Sequence, residues 1–121
     1  YVRLPELLSE LALARGLGTF SKVINQYRKY QLLVIDEWML VALTETEAKD
    51  LLGIIHYRHK RASTIFCSQF SYAGWNAKIG EPVLADAILD RIVHYSDVVE
   101  IHSYPKKGNT MELITSSRFD I

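Results

Sequence analysis

Two apolar runs in this sequence end in polar residues whose types suit phosphate chemistry. Leu32, Leu33, Val34 and Ile35 lead into Asp36 and Glu37, and the run Ser63 to Cys67 leads into Ser68 and Gln69. Neighbouring carboxylates delivered by one strand can divide the work of nucleotide hydrolysis. The first can hold Mg²⁺ through water, because Mg²⁺ prefers oxygen ligands and keeps much of its hydration shell. The second can orient or deprotonate the attacking water, and an amide on the next strand can hydrogen-bond that water or the terminal phosphate. A structural alternative stands beside each pair, since strands often end in solvated polar residues and Ser or Gln there can serve only a turn.

Other reactive residue types form no comparable set. His56 and His59 can share a helix face, but no Cys or acid nearby completes a ligand set, and His94 and His102 stand alone, so no zinc site is expected. Cys67 is the one cysteine, which excludes an internal disulfide framework and a Cys-rich zinc site; inside an apolar run it reads as an inert buried thiol. Trp38 and Trp75 suit packing at the rim better than stacking on a substrate. Cations cluster in three places: Arg28 and Lys29 between Tyr27 and Tyr30; Arg58, His59, Lys60 and Arg61 after Tyr57; and Lys106 with Lys107. Such clusters can contact phosphates, or they can simply be solvated partners of helix C-termini.

The elements that must position these residues alternate. Tyr1 to Leu4 reads as the end of a strand, and Pro5 suits the first turn of a helix. Leu7, Leu8, Leu11 and Ala14 continue at helical spacing until Gly16 and Gly18 supply a stop. A second helix is expected over Phe20 to Tyr30. Beyond the apolar stretch 38–43, Thr44 and Glu47 make a capping box for a helix carrying Ala48, Leu51, Leu52 and Ile55. A loop through Tyr72, Gly74, Trp75 and Gly80 is expected to lead into a helix from Leu84 to Tyr95. Asp97 to His102 reads as a third strand, and Pro105 to Asn109 as a turn of an edge hairpin. Continuous apolarity in the strands predicts a parallel α/β sheet covered on both faces.

A length of 121 residues allows one domain, 1–121. Lys+Arg and Asp+Glu both number 14, so no global basic field exists and any nucleic-acid contact must come from a local patch. The longest apolar run, 38–43, is far short of the roughly 20 residues a membrane span needs. With no secretory signal pattern at the N-terminus, a reducing cytosol is the default compartment.

The segment Leu32-Leu33-Val34-Ile35-Asp36-Glu37-Trp38 resembles the Walker B strand of an AAA+ ATPase. A wider likeness, over roughly residues 1 to 102, is to IstB-like ATP-binding proteins, the helper ATPases of bacterial insertion sequences and relatives of DnaC-type helicase loaders. It is carried by residues 1–5 and 7–12, by Ser63 to Phe70 and by Ala85 to His94. The resemblance implies a P-loop NTPase sheet flanked by helices, ATP and Mg²⁺ as cofactors, and DNA and a transposase as partners. It also implies self-association through ATPase interfaces and a cytoplasmic, nucleoid-associated protein with no membrane contact. Asp36 then becomes the Mg²⁺-binding carboxylate, with Ser68 a further cofactor contact, and Glu37 the water-activating group. Gln69 falls at the sensor 1 position, where the shorter Asn or Thr is commoner. Arg91 falls where an arginine would reach the nucleotide of a neighbouring subunit. Arg58, Lys60 and Arg61 are the DNA-contact candidates.

One departure accompanies the likeness. A P-loop requires G-x-x-x-x-G-K-[ST], and none of the six glycines precedes Lys-Ser or Lys-Thr. The expectation is therefore a partial ATPase core that begins after the Walker A strand, loop and helix. A central strand next to the sensor strand would be lost, two sheet edges exposed, and the chain alone inactive. A helicase-loader ATPase and a non-enzymatic DNA or protein interaction module are the rival readings.

Overall fold

A computed structural model describes residues 1–70, 72–93, 96–102 and 110–116, the backbone alone being described for 72, 73 and the last two segments. Pro105 to Asn109, Lys106 and Lys107 and His94 lie outside the described residues. Strand β1 (Val2–Arg3) runs directly into α1 (Leu4–Leu17), with Pro5 in its first turn. Gly18, at φ 78°, closes that helix; this left-handed position is open to glycine without strain. Helix α2 (Phe20–Lys29) leads to β2 (Leu32–Asp36). Thr44 caps α3 (Glu45–Arg58) through the reciprocal capping box with Glu47. Then follow β3 (Ser63–Ser68), α4 (Tyr72–Ile79), α5 (Pro82–Val93), β4 (Ser96–His102) and β5 (Thr110–Ser116).

The strands form one sheet in the order β1-β2-β3-β5-β4. The first three are parallel, with Val2 opposite Ile35 and Ile35 opposite Phe66. Strand β5 pairs antiparallel with both β3 and β4. Three expectations change here. The sheet is mixed rather than wholly parallel. The C-terminal segment enters between β3 and β4 instead of forming an edge, so β3 is hydrogen-bonded on both sides and presents no open edge. Tyr72 to Ile79 is helical, because Trp75 and Ile79 fall at i, i+4 and both bury in the core.

Each parallel connection moves across the sheet in the same direction, and right-handed crossovers then place the helices on one face. Burial along the strands shows this. Leu33, Ile35, Thr64, Phe66 and Ser68 are buried, whereas Val34, Ile65 and Cys67 between them are only half-buried and Leu32 is 56% exposed. The expectation that both faces are covered therefore fails for the described side chains. Leu7, Leu11, Ile24, Leu51, Ile54, Ile88 and Ile92 from the helices meet Leu33, Ile35 and Phe66 in one core. Trp38 and Trp75 join it edge to face, 6.0 Å between ring centroids.

Arg58 contributes a polar bolt to this core. It is 2% exposed, and its Nε donates to Thr64 Oγ1 at 2.8 Å while Nη2 donates to the Ser63 carbonyl at 2.5 Å. Its Nη1 donates to the carbonyls of Tyr27, Arg28 and Tyr30. The guanidinium thus satisfies carbonyls at the end of α2 and joins α2, α3 and β3 where the strands begin. Burial pulls its pKa down to about 10, which still leaves it charged at neutral pH. Arg58 is consequently a structural residue and not a DNA contact.

Candidate functional site

The opposite end of the strands carries the acids. Asp36 is the last residue of β2, and its Oδ1 accepts the Glu37 backbone N–H at 2.8 Å. Glu37 then turns sharply, at φ 55°, and Met39 follows at φ 57°. This left-handed backbone in two non-glycine residues carries a local cost. It redirects the chain so that the Trp38 N–H meets the Cys67 carbonyl at 2.9 Å, locking the turn after β2 to the end of β3. Asp36, Glu37, Trp38, Leu40, Cys67, Ser68 and Gln69 line one cavity of about 50 Å³. The sequence-nominated residues Asp36, Glu37, Ser68 and Gln69 are therefore brought together.

Their side chains differ in availability. Gln69 is exposed. Ser68 is buried, and its Oγ donates to the Trp38 carbonyl while accepting the Phe70 N–H and the Trp75 Nε1–H. That hydroxyl braces the rim from beneath, so a direct cofactor contact by Ser68, as the sequence suggested, does not fit its environment. Cys67 has its thiol pushed up by burial first and by the Asp36 charge second, in keeping with an unreactive group. Trp38 Nε1 is buried with no hydrogen-bond partner.

Two residues that sequence reasoning gave no role hold the acids. The Tyr1 hydroxyl donates to Asp36 Oδ2 at 2.5 Å, and the Arg3 Nε donates to Glu37 Oε2 at 2.5 Å. Tyr1 immediately precedes β1 and Arg3 ends it, in register with Asp36. Each contact raises the donor's pKa, chiefly through the hydrogen bond itself. The usable signal was topological: once β1 and β2 are parallel neighbours, their carboxyl ends share one rim.

Arg91 is elsewhere. It donates from Nε to His56 Nδ1 at 3.0 Å and from Nη1 to the Ala87 carbonyl at 2.9 Å. His56 lies two residues before Arg58, which marks the strand-start end, so Arg91 does not reach the Asp36–Glu37 rim of its own chain. Among the described residues no cluster of His, Cys, Asp and Glu forms a ready metal site. The oxygen donors Asp36 and Gln69 suit a Mg²⁺ ion that keeps its water. The cavity has room for water but not for a triphosphate, and no described loop forms a phosphate cradle.

The family of IstB-like ATP binding proteins matches residues 1–117. The chain belongs to this family. Its fold is accordingly that of a P-loop NTPase. An insertion sequence ATP-binding protein of Sinorhizobium fredii is 43% identical over 109 residues, covering 90% of this chain and 44% of the relative. A second from the same organism is 40% identical over 101 residues, 84% of this chain and 41% of that protein. The ATP-binding protein of insertion sequence IS232 from Bacillus thuringiensis is 32% identical over 101 residues, 84% and 40% of the two chains. This IstB-like chain thus spans less than half the length of the curated relatives it matches. No helix among its described residues is long and apolar enough to cross a membrane.

Proposed function

We propose that this IstB-like chain supplies the Walker B and sensor side of an ATP-hydrolysing helper in DNA transposition. The observation that carries the reading is the meeting of Asp36, Glu37 and Gln69 around one cavity at the carboxyl ends of adjacent parallel strands. Ligands of open α/β sheets bind beyond those ends.

Mg-ATP, when bound, supplies the reactive terminal phosphate and a cation that offsets its charge. Asp36 holds the metal's water shell. Glu37 releases Arg3, orients the attacking water and accepts its proton. Gln69 hydrogen-bonds that water or the phosphate. Arg91, remote from its own rim, acts on the nucleotide of a neighbouring copy, where it stabilises developing phosphate charge. ATP-linked self-association would then assemble the protein on DNA for a transposase, with Lys60 and Arg61 among the DNA contacts.

The chain by itself is proposed to be inactive, and one observation favours this: both acids are already engaged, Asp36 by Tyr1 and Glu37 by Arg3. The test joins the P-loop segment of a relative to this chain and measures Mg-ATP turnover. Glu37→Gln is expected to lower kcat about 10²- to 10⁴-fold, the usual worth of a general base. Equal turnover with and without the substitution overturns the reading.

A further inference from the structure

We propose that the outward face of α2, extended by Arg28, Tyr57 and Arg61, binds the phosphate backbone of double-stranded DNA. Lys22, Asn25, Gln26 and Lys29 recur at i, i+3, i+4 and i+7 and so form one stripe. All four are exposed, and together with Tyr30 they line a shallow depression of about 600 Å³. Helix α2 carries Lys22, Arg28 and Lys29 and no acid, in a chain whose charges otherwise balance. Among the described residues neither lysine forms an ion pair. Phosphate oxygens are contacted by such lysines and by neutral amides alike.

Tertiary structure enlarges this stripe. Because Arg58 bolts the end of α2 to the end of α3, two basic clusters separated in sequence become neighbours. Tyr57 then lies between two guanidinium groups, with Arg61 4.6 Å and Arg28 5.8 Å from its ring centroid. Arg28 also donates from Nη1 to Asn25 Oδ1 at 3.3 Å and Arg61 from Nη1 to the Tyr57 carbonyl at 3.2 Å, but among the described residues neither pairs with a carboxylate, so their charge is not neutralised. Arg28 is pressed against Gly53, where a Cβ would come within 3.3 Å of its Nη2, and its Nε is buried with no partner.

Two features select duplex DNA among polyanions. The apolar residues of α2 turn to the core, Ile24 and Tyr27 buried in it and Phe20 and Val23 partly buried against it, so the outward face offers no apolar stripe to a lipid surface. Tyr57 is already covered by cations, and Tyr30 alone is a poor platform for the successive bases of a single strand. The inference takes its partner from the transposition reading but uses none of the rim residues, so the two fail separately.

The test measures anisotropy of a labelled duplex of about 20 base pairs against the 121-residue chain across salt concentrations. Four cations predict a slope of about −3.6 in log K against log salt, or roughly 150-fold weaker binding at 200 than at 50 mM. Lys22→Gln/Lys29→Gln is expected to reduce that slope by about 1.8, and Lys22→Arg/Lys29→Arg to restore it. The control Lys49→Gln/Lys78→Gln removes the same charge elsewhere and should leave the slope within about 0.5. The inference is overturned if both glutamine pairs act alike, or if no duplex binds at about 50 mM salt. It is equally overturned if single-stranded DNA or phosphatidylserine vesicles bind more tightly than the duplex. Circular dichroism of each variant verifies the fold; Lys22, Lys29 and Lys49 are exposed and Lys78 is half-buried.

Discussion

Two arginines anchor opposite ends of the same parallel strands, and they are held in different ways. Arg58, where the strands begin, is 2% exposed and donates to four backbone carbonyls and one hydroxyl. Arg3, where they end, pairs with Glu37, with side-chain exposures of 46% and 31%, and more loosely with Glu6 at 3.9 Å. A buried charge with complete hydrogen bonding is hard to remove without stranding its partners, whereas a half-exposed ion pair exchanges with water at little cost. The first end is built to stay fixed. The second can open, as the phosphate site proposed there requires.

This contrast can be broken most directly at Arg58. Arg58→Met leaves the carbonyls of Tyr27, Arg28, Tyr30 and Ser63 without their donor and is expected to cost about 3–5 kcal/mol in urea unfolding. A loss below about 1 kcal/mol would show that the bolt is dispensable. A smaller effect is expected under the acid rim, where Ser68→Ala removes the hydroxyl that joins Trp38, Phe70 and Trp75. Its cost should be about 1–3 kcal/mol in the same measurement, because the Phe70 N–H and the Trp38 carbonyl lose their partner, while the Trp75 indole keeps the Phe70 carbonyl at 2.9 Å. If Ser68→Ala is neutral, the rim is loose throughout and not only at its surface.

The smallest effect belongs to Arg3. Arg3→Met should change stability by no more than about 1 kcal/mol, and the difference should shrink further in high salt. In the fusion to a relative's P-loop segment the same substitution should raise turnover at subsaturating nucleotide, because Glu37 no longer has to be withdrawn from a partner. A stability loss matching that of Arg58→Met would erase the distinction between the two ends.

Local features of the fold were legible where the chain dictates its own hydrogen bonds. Thr44 and Glu47 announced the start of α3, and Gly18 the end of α1, because caps are satisfied within a few residues. Asp36 and Glu37 were legible as a strand-end pair for the same reason. Arg58 was misread as a surface cation, although its spacing from Leu51 and Ile55 places it on the buried stripe of α3. The helix Tyr72–Ile79 was missed because Gly74 and its neighbours carry the composition of a loop, and burial of Trp75 and Ile79 outweighs it.

The amino-acid sequence alone determined which residues could do chemistry, where α1 stops and α3 begins, and which family the chain resembles. Only tertiary structure decided that β5 enters the sheet between β3 and β4, that Tyr1 and Arg3 hold the two acids, and that Arg58 turns inward. It alone set Arg28 and Arg61 around one tyrosine. Caps and periodicity are fixed by neighbours within a turn or two. Strand order and the partner of a charge depend on contacts 30 or more residues apart, such as Arg3 with Glu37 and Arg58 with Tyr27, which no local pattern encodes.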